Sequence, residues 1–329
     1  MILVLALVVS VGPLLQSAPP APADTLRYTM LLSGNRAGSM LVIREADGSA
    51  RTRFEFNDRG RGPKTETLLR IDAAGLPTAV SITGNDYLKA PVEEHFTVTG
   101  GTGTWSSSAE RGSSSSGAGA FYVPLNSAPD LLGRLAQALL TAPGHRLPLL
   151  PAGEARIERA GEATVRRNGA REHLTAYAIT GLDFTPTYVW LDDSGSLFVS
   201  ASGWSGIVRE GADSSLPALT AVQDSLERVR ERRQAETLSD RPAGPVAFIG
   251  ATLFDAPNAR LAPGTTVVVD GNRISAVGPD GSIPIPPQAR RIDARGKTLL
   301  PGLWDMHAHV GAVDGPLNIA AGITSVRDL

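Results

Sequence analysis

The sequence predicts a mainly β protein, in which a long antiparallel domain precedes a smaller β unit. Two observations carry this prediction. Over residues 25–208, short runs of alternating polar and apolar residues are separated by Gly, Asn and Asp turns, a pattern typical of an antiparallel meander. The segment Arg241-Pro242-Ala243-Gly244-Pro245 then interrupts the chain, and such clustered proline and glycine favours a domain boundary.

Length and composition limit the possible classes of protein. The chain has 329 residues, enough for about two domains. Hydrophobic residues make up 42% and charged residues 19%, as in ordinary globular proteins. A net charge of -2 offers no electrostatic basis for binding nucleic acid. Because cysteine is absent, any metal ion must be held by histidine, carboxylate or a modified lysine.

The N-terminus is interpreted as a signal peptide over residues 1–23. Residues 2–11 are apolar but fewer than the roughly 20 needed to span a bilayer. An Ala-x-Ala site follows and ends at Ala23. This pattern predicts a bacterial periplasmic or secreted protein without a membrane span. Because no basic residue follows Met1, a ragged hydrophobic N-terminus is the alternative.

Residues 24–212 are predicted to form an antiparallel, curved, β-rich domain with one helix at residues 130–140 laid over the sheet. The Ser/Gly-rich residues 106–119 are predicted to form a flexible loop. The concave face of such a sheet could hold an apolar ligand. A packing or substrate-positioning module without a ligand of its own is an equally good interpretation.

The first domain and the segment after it contain no recognisable catalytic motif. His95, His145 and His173 lie far apart in the sequence, which favours surface or sheet histidines over metal ligands. Residues 213–244 read as a connector that includes a charged helix with a thin apolar stripe. A basic amphipathic helix can bind membranes, but interleaved glutamates favour a solvated connector.

The last part of the chain carries two histidines separated by one residue, His307 and His309, after an apolar run with a Pro-Gly break. In a regular strand, Asp305, His307 and His309 would share one face, because side chains alternate. The opposite face would then be wholly apolar and would pack against a helical layer. That face would contain Trp304, Met306, Ala308 and Val310. An isolated His-x-His pair, however, is more often an ordinary surface or core pair than a metal site.

The context of this pair is more specific than the pair itself. An Asp-Gly-Asn-Arg-Ile hairpin at residues 270–274 precedes Ile-Asp-Ala-Arg-Gly-Lys-Thr-Leu-Leu-Pro-Gly-Leu-Trp-Asp-Met-His-Ala-His at residues 292–309. Residues 319–328 follow with Ile-Ala-Ala-Gly-Ile-Thr-Ser-Val-Arg-Asp. Together these segments resemble the amidohydrolase superfamily, especially its imidazolonepropionase-like and prolidase-like branch. The resemblance covers about residues 245–329, a quarter of the chain.

The resemblance implies a small β-sandwich at residues 245–300 and the start of a TIM-type (β/α)8 barrel at residues 301–329. It also implies that His307 and His309 bind a divalent metal, usually zinc. Such a metal activates water for attack on a C–N bond of amide, lactam or dipeptide type. The substrate would be a small molecule or dipeptide-like. Asp305 is expected to be a strand-end residue or to support an imidazole, rather than to bind the metal.

The sequence also departs from the family pattern. A bridging lysine, two further histidines and a catalytic aspartate are absent after His309, where only Asp314 and Asp328 carry carboxylates. No catalytic residue is therefore assigned, and the chain is expected to be an inactive N-terminal fragment of a longer metal-dependent hydrolase. The alternative is an exported β-sheet ligand-binding module with a degenerate hydrolase tail. The sequence leaves the metal count and the oligomeric state open.

Overall fold

The computed structural model describes residues 24–311 and 314–329, so the predicted signal peptide lies outside the described residues. The chain divides into two compact units, Met1–Leu226 and Glu227–Leu329, here called unit 1 and unit 2. The structure is mainly β, as the sequence predicts. Across its described ranges, none of the helices combines the length and apolar character needed to cross a bilayer.

Unit 1 contains one fifteen-stranded sheet that runs in the order β8-β7-β6-β5-β4-β3-β2-β1-β15-β14-β13-β12-β11-β10-β9. All pairs in it are antiparallel except β9 with β10, which confirms the predicted meander. The first eight strands are β1 (Asp24–Leu32), β2 (Asn35–Arg44), β3 (Ala50–Phe56), β4 (Lys64–Ile71), β5 (Pro77–Asn85), β6 (Pro91–Thr99), β7 (Thr102–Ser106) and β8 (Arg111–Ser114). The others are β9 (Phe121–Tyr122), β10 (Arg146–Leu150), β11 (Glu154–Arg167), β12 (Ala170–Thr180), β13 (Thr187–Asp192), β14 (Leu197–Ser202) and β15 (Ser205–Arg209).

The Ser/Gly-rich segment is not a simple loop, because residues 106–119 include strand β8. Its turn is closed by local hydrogen bonds. The backbone N–H of Ser107 donates to the carbonyl of Glu110 at 2.8 Å, and Trp105 Nε1 donates to Glu110 Oε1 at 3.0 Å. These bonds overcome the low strand propensity of the segment, so the flexible-loop prediction is wrong here.

Helix α1 (Asp130–Thr141) covers one face of this sheet, which confirms the predicted helix. Its apolar side is buried in the main core, where Leu135 and Leu139 are almost inaccessible.

The two ends of the long sheet are joined through the buried carboxylate of Glu94 on β6. This carboxylate accepts hydrogen bonds from Tyr122 Oη at 2.9 Å and from the backbone N–H groups of Leu125 at 2.8 Å and Asn126 at 3.1 Å. The ring of Tyr122 also stacks on that of Phe96, with 4.3 Å between centroids. Strand β6 lies near one end of the sheet and β9 forms the other, so these contacts close the sheet upon itself.

A second core lies around Trp190 and Phe198 and includes the beginning of helix α2 (Leu216–Leu238). Within α2, only Leu219 and Gln223 are buried. The charged remainder of the helix is largely solvent-accessible, as expected for a helix with a thin apolar stripe.

Unit 2 contains one five-stranded sheet in the order β18-β17-β16-β19, with β20 also paired to β16. Its strands are β16 (Val246–Asp255), β17 (Arg260–Asp270), β18 (Arg273–Pro279), β19 (Arg290–Asp293) and β20 (Thr298–Leu299). Strand β16 is long: its first half pairs with β19 and its second half with β20. All five strands are thus connected through β16, and the small β-sandwich at residues 245–300 stays a prediction.

A separate strand–helix–strand segment ends the chain, with β21 (Leu303–Ala308), α3 (Gly315–Ala320) and β22 (Ile323–Asp328). The two strands are parallel, and such a pair needs a crossover connection, usually a helix. The segment is the kind of unit from which α/β barrels are built. A barrel itself is not formed by the residues that the structure describes.

Candidate functional site

The two candidate metal ligands lie at the C-terminal end of β21. His307 is within the strand, and His309 follows its last residue, Ala308. Both side chains are exposed. Their ring centroids are 5.4 Å apart, and the ring planes are nearly perpendicular at 88°. The structure therefore places the predicted pair side by side with both rings open to solvent.

The strand that carries them is irregular. Asp305 is paired with Val326 and Ala308 with Asp328, so three residue steps on β21 match two on β22. An extra residue of this kind is a β-bulge, which re-aims the side chains after it. The side chains therefore do not alternate regularly between the two faces of the strand from Asp305 to His309. Strand periodicity does not place Asp305, His307 and His309 on one face.

The predicted burial of the opposite, apolar face is wrong for the described residues. Trp304 is 68% exposed and Met306 is 55% exposed. Both residues are apolar, but their burial would also require a layer of side chains packed over this face of β21. The contacts of β21 within the described ranges are mainly those with β22.

Asp305 contacts backbone rather than an imidazole. Its Oδ1 accepts a hydrogen bond from the backbone N–H of His307 at 3.0 Å. A short aspartate side chain readily bonds to the backbone two residues onward. Of the two expected roles, this contact favours that of a strand-end residue over support of a histidine ring.

Two further aspartates near the pair contact the backbone, and sequence reasoning did not assign them this role. Asp328 Oδ1 accepts from the Val310 N–H at 3.3 Å, and Asp314 Oδ2 accepts from the Gly311 N–H at 2.7 Å. Asp314 precedes the Gly-Pro start of α3 and could have been recognised as a helix-flanking residue. The contact of Asp328 depends on strand pairing, for which the local sequence carries no signal.

The geometry of the histidine pair is compatible with a shared metal ion. Zinc–nitrogen bonds are about 2.0–2.1 Å in tetrahedral sites, which puts two ligating rings about 5 Å apart between centroids. The observed 5.4 Å is close to this value. Within the described ranges, however, no group of three or more His, Cys, Asp or Glu side chains is arranged to hold a metal. The described residues thus bring two imidazole rings side by side without a third ligand beside them.

The other three histidines lie in unit 1. His95 Nε2 is 3.3 Å from Glu93 Oε1, His173 Nδ1 is 2.8 Å from Asp193 Oδ1, and His145 lies just after α1. All three side chains are exposed, as expected for surface histidines.

Comparison with known proteins yields partial relatives only. No protein-family model matches the chain. An adenine deaminase from Rubrobacter xylanophilus is 40% identical over 76 residues, which are 23% of this chain and 12% of that protein. The chain therefore spans about an eighth of the length of this relative.

The solved structures that match also cover limited parts. A candidate prolidase from Bifidobacterium longum shares 26% identity over 27% of this chain and 24% of its own, with a TM-score of 0.25. A molinate hydrolase shares 28% identity over 27% of this chain and 24% of its own, with a TM-score of 0.22. A β-barrel-like protein of unknown function from Brucella abortus shares 13% identity over 58% of this chain and 96% of its own, with a TM-score of 0.36.

The similarity to the adenine deaminase thus concerns about a quarter of the chain. The similarity at 40% identity agrees with the amidohydrolase resemblance of the C-terminal motifs.

Proposed function

We propose that this chain supplies two metal ligands, His307 and His309, to an amidohydrolase that hydrolyses a C–N bond of a small molecule. The observation that carries the proposal is the placement of two adjacent imidazoles, 5.4 Å apart between centroids, at the C-terminal end of a parallel strand. Active-site residues of α/β barrels come from this end of the strands. The amide, lactam or dipeptide type of substrate belongs to the same proposal.

The chemistry follows from a divalent ion, in the first place zinc. Such an ion lowers the pKa of bound water to about 7 and polarises a carbonyl group. His307 and His309 would each bind it through one neutral ring nitrogen. Asp305 holds the backbone N–H of His307 and so limits the movement of that ligand.

A catalytic zinc site usually has three protein ligands, and the described residues bring two together. We therefore expect this chain to bind zinc without turning over an amide substrate by itself. Export to the periplasm or the cell exterior, after cleavage at Ala23, is a separate part of the proposal and rests on the N-terminal sequence.

The test is metal analysis of the 329-residue protein after equilibration with zinc and desalting. We expect bound zinc in the unaltered protein and a loss of about tenfold in affinity or more in His307→Ala and His309→Ala, since each removes one direct ligand. His173→Ala, an exposed histidine of unit 1, is the matched control and should retain the zinc. Unchanged zinc content in both site variants would disprove the ligand assignment.

A further inference from the structure

We propose that Asp328 is a positioning residue for His309, acting through the backbone on either side of it. The inference rests on the proposed metal-binding role of His309. That residue lies beyond the last residue of β21, where a ladder of strand hydrogen bonds no longer fixes it. A ligand in such a place needs support, because metal sites depend on side chains held within roughly 0.5 Å of their working geometry.

The support comes from the end of β22. Ala308, which precedes His309, is the register partner of Asp328, and its carbonyl accepts a hydrogen bond from the Leu329 N–H at 3.1 Å. Val310, which follows His309, donates its N–H to Asp328 Oδ1 at 3.3 Å. The peptide group before His309 is therefore bonded to Leu329, and the peptide group after it is bonded to Asp328.

The two histidines thus have different anchors. The backbone N–H of His307 is held by Asp305 at 3.0 Å, within the bulged part of β21. His309 is flanked by the contacts with Asp328 and Leu329. A carboxylate acceptor strengthens such a bond relative to a neutral one. Removal of the Asp328 carboxylate should therefore release His309 while leaving the anchor of His307 in place.

The structure offers a matched control in Asp314. Its carboxylate accepts the N–H of Gly311 at 2.7 Å, a shorter bond than that of Asp328 but two residues beyond His309. Loss of either carboxylate loosens the same stretch of backbone. Of these two carboxylates, only that of Asp328 contacts a residue directly next to His309.

The experiment measures zinc affinity of the full chain by competition with a chromophoric chelator, in parallel with ¹⁵N spectra of selectively labelled histidine. The chain has five histidines, so His307→Ala and His309→Ala assign the two ring signals. We expect Asp328→Ala to weaken zinc binding by about tenfold, the lower end for residues that support a ligand. Asp328→Asn keeps an oxygen acceptor and should recover most of the affinity, and Asp314→Ala should bind as the unaltered protein does.

The spectra provide a readout that a general loss of stability would not reproduce. In Asp328→Ala we expect the ring signal of His309 to respond less to zinc, whereas that of His307 still responds. Equal zinc affinity of Asp328→Ala and the unaltered protein, or equal weakening in Asp314→Ala, would overturn the inference. If His307→Ala and His309→Ala bind zinc as the unaltered protein does, it is the metal-binding proposal that fails instead.

Discussion

Burial strongly perturbs the carboxyl group of Asp130. It lies in the first turn of α1 and is buried, and Thr52 Oγ1 donates a hydrogen bond to its Oδ2 at 2.8 Å. Burial raises the pKa of this carboxyl to about 6, although the Thr52 bond and the charge of Arg134 oppose the shift. Folding therefore favours the protonated acid.

This shift predicts how stability depends on pH. The folded pKa lies about two units above the unfolded value, at about 1.4 kcal/mol per unit, so ionisation costs unit 1 about 3 kcal/mol. The stability of unit 1 with Asp130 protonated is fully present below about pH 4. It is lost as the pH rises through 6 and the acid ionises. Asp130→Asn cannot ionise and still accepts from Thr52, so we expect it to be more stable than the unaltered protein at pH 7.

The measurement is urea unfolding at pH 4, 5, 6 and 7, followed by tryptophan fluorescence, to which the buried Trp190 of unit 1 contributes. The asparagine variant loses a favourable charge near the helix N-terminus, worth about 0.3–1 kcal/mol, which is smaller than the expected gain. A stability difference between the two proteins that does not change with pH would contradict the assignment.

At the scale of elements, helix α1 approaches the sheet closely at Gly133. A Cβ atom added there would lie 2.8 Å from Leu197 Cβ on β14. Replacing a helical glycine with alanine ordinarily stabilises by about 0.5–1 kcal/mol, whereas overpacking a core costs about 1–3 kcal/mol. We therefore expect Gly133→Ala to lower the free energy of unfolding of unit 1 by about 1 kcal/mol, as measured by urea unfolding.

The matched control is Gly315→Ala at the first residue of α3, where an added Cβ meets nothing within 4 Å. This variant should be neutral or slightly stabilising in the unfolding of unit 2. A stabilised Gly133→Ala protein would show that α1 can move away from β14 at little cost.

Local patterns predict the elements well but not their long-range partners. Alternation and turn residues identify most strands and the helix at residues 130–140, because these signals lie within a few positions of one another. The pairing of β1 with β15 and the contact between Glu94 and Tyr122 join distant segments, for which the sequence has no local signal. The pairing of the long strand β16 with both β19 and β20 likewise has no local signal in the sequence.

The candidate site shows the same division. The motif predicts His307 and His309, and the structure places their rings next to each other. The roles of Asp305 and Asp328 depend on the bulge in β21 and on its register with β22. Neither feature can be predicted from side-chain type. The assumption of regular alternation therefore placed Asp305, His307 and His309 on one face, which the bulged strand does not support.

At the scale of the whole molecule, the two units have cores of very different quality. Unit 1 buries large side chains, among them Trp190, Phe96 and Tyr122. In the described part of unit 2, every buried apolar residue is an alanine or a valine, and Ile274 is 66% exposed. Because stability grows with the apolar area removed from water, unit 1 should be the more stable of the two.

Differential scanning calorimetry should therefore resolve two transitions, with unit 2 unfolding at the lower temperature. Val268→Ala removes buried methyl groups from unit 2 and should lower only the first transition, at a cost of about 1–2 kcal/mol. Glu94→Ala leaves four donors of unit 1 without their acceptor and should lower only the second, by about 3 kcal/mol or more. Glu93→Ala, whose side chain is 81% exposed, should change neither transition measurably. A single transition that both core variants shift together would show instead that the units unfold as one.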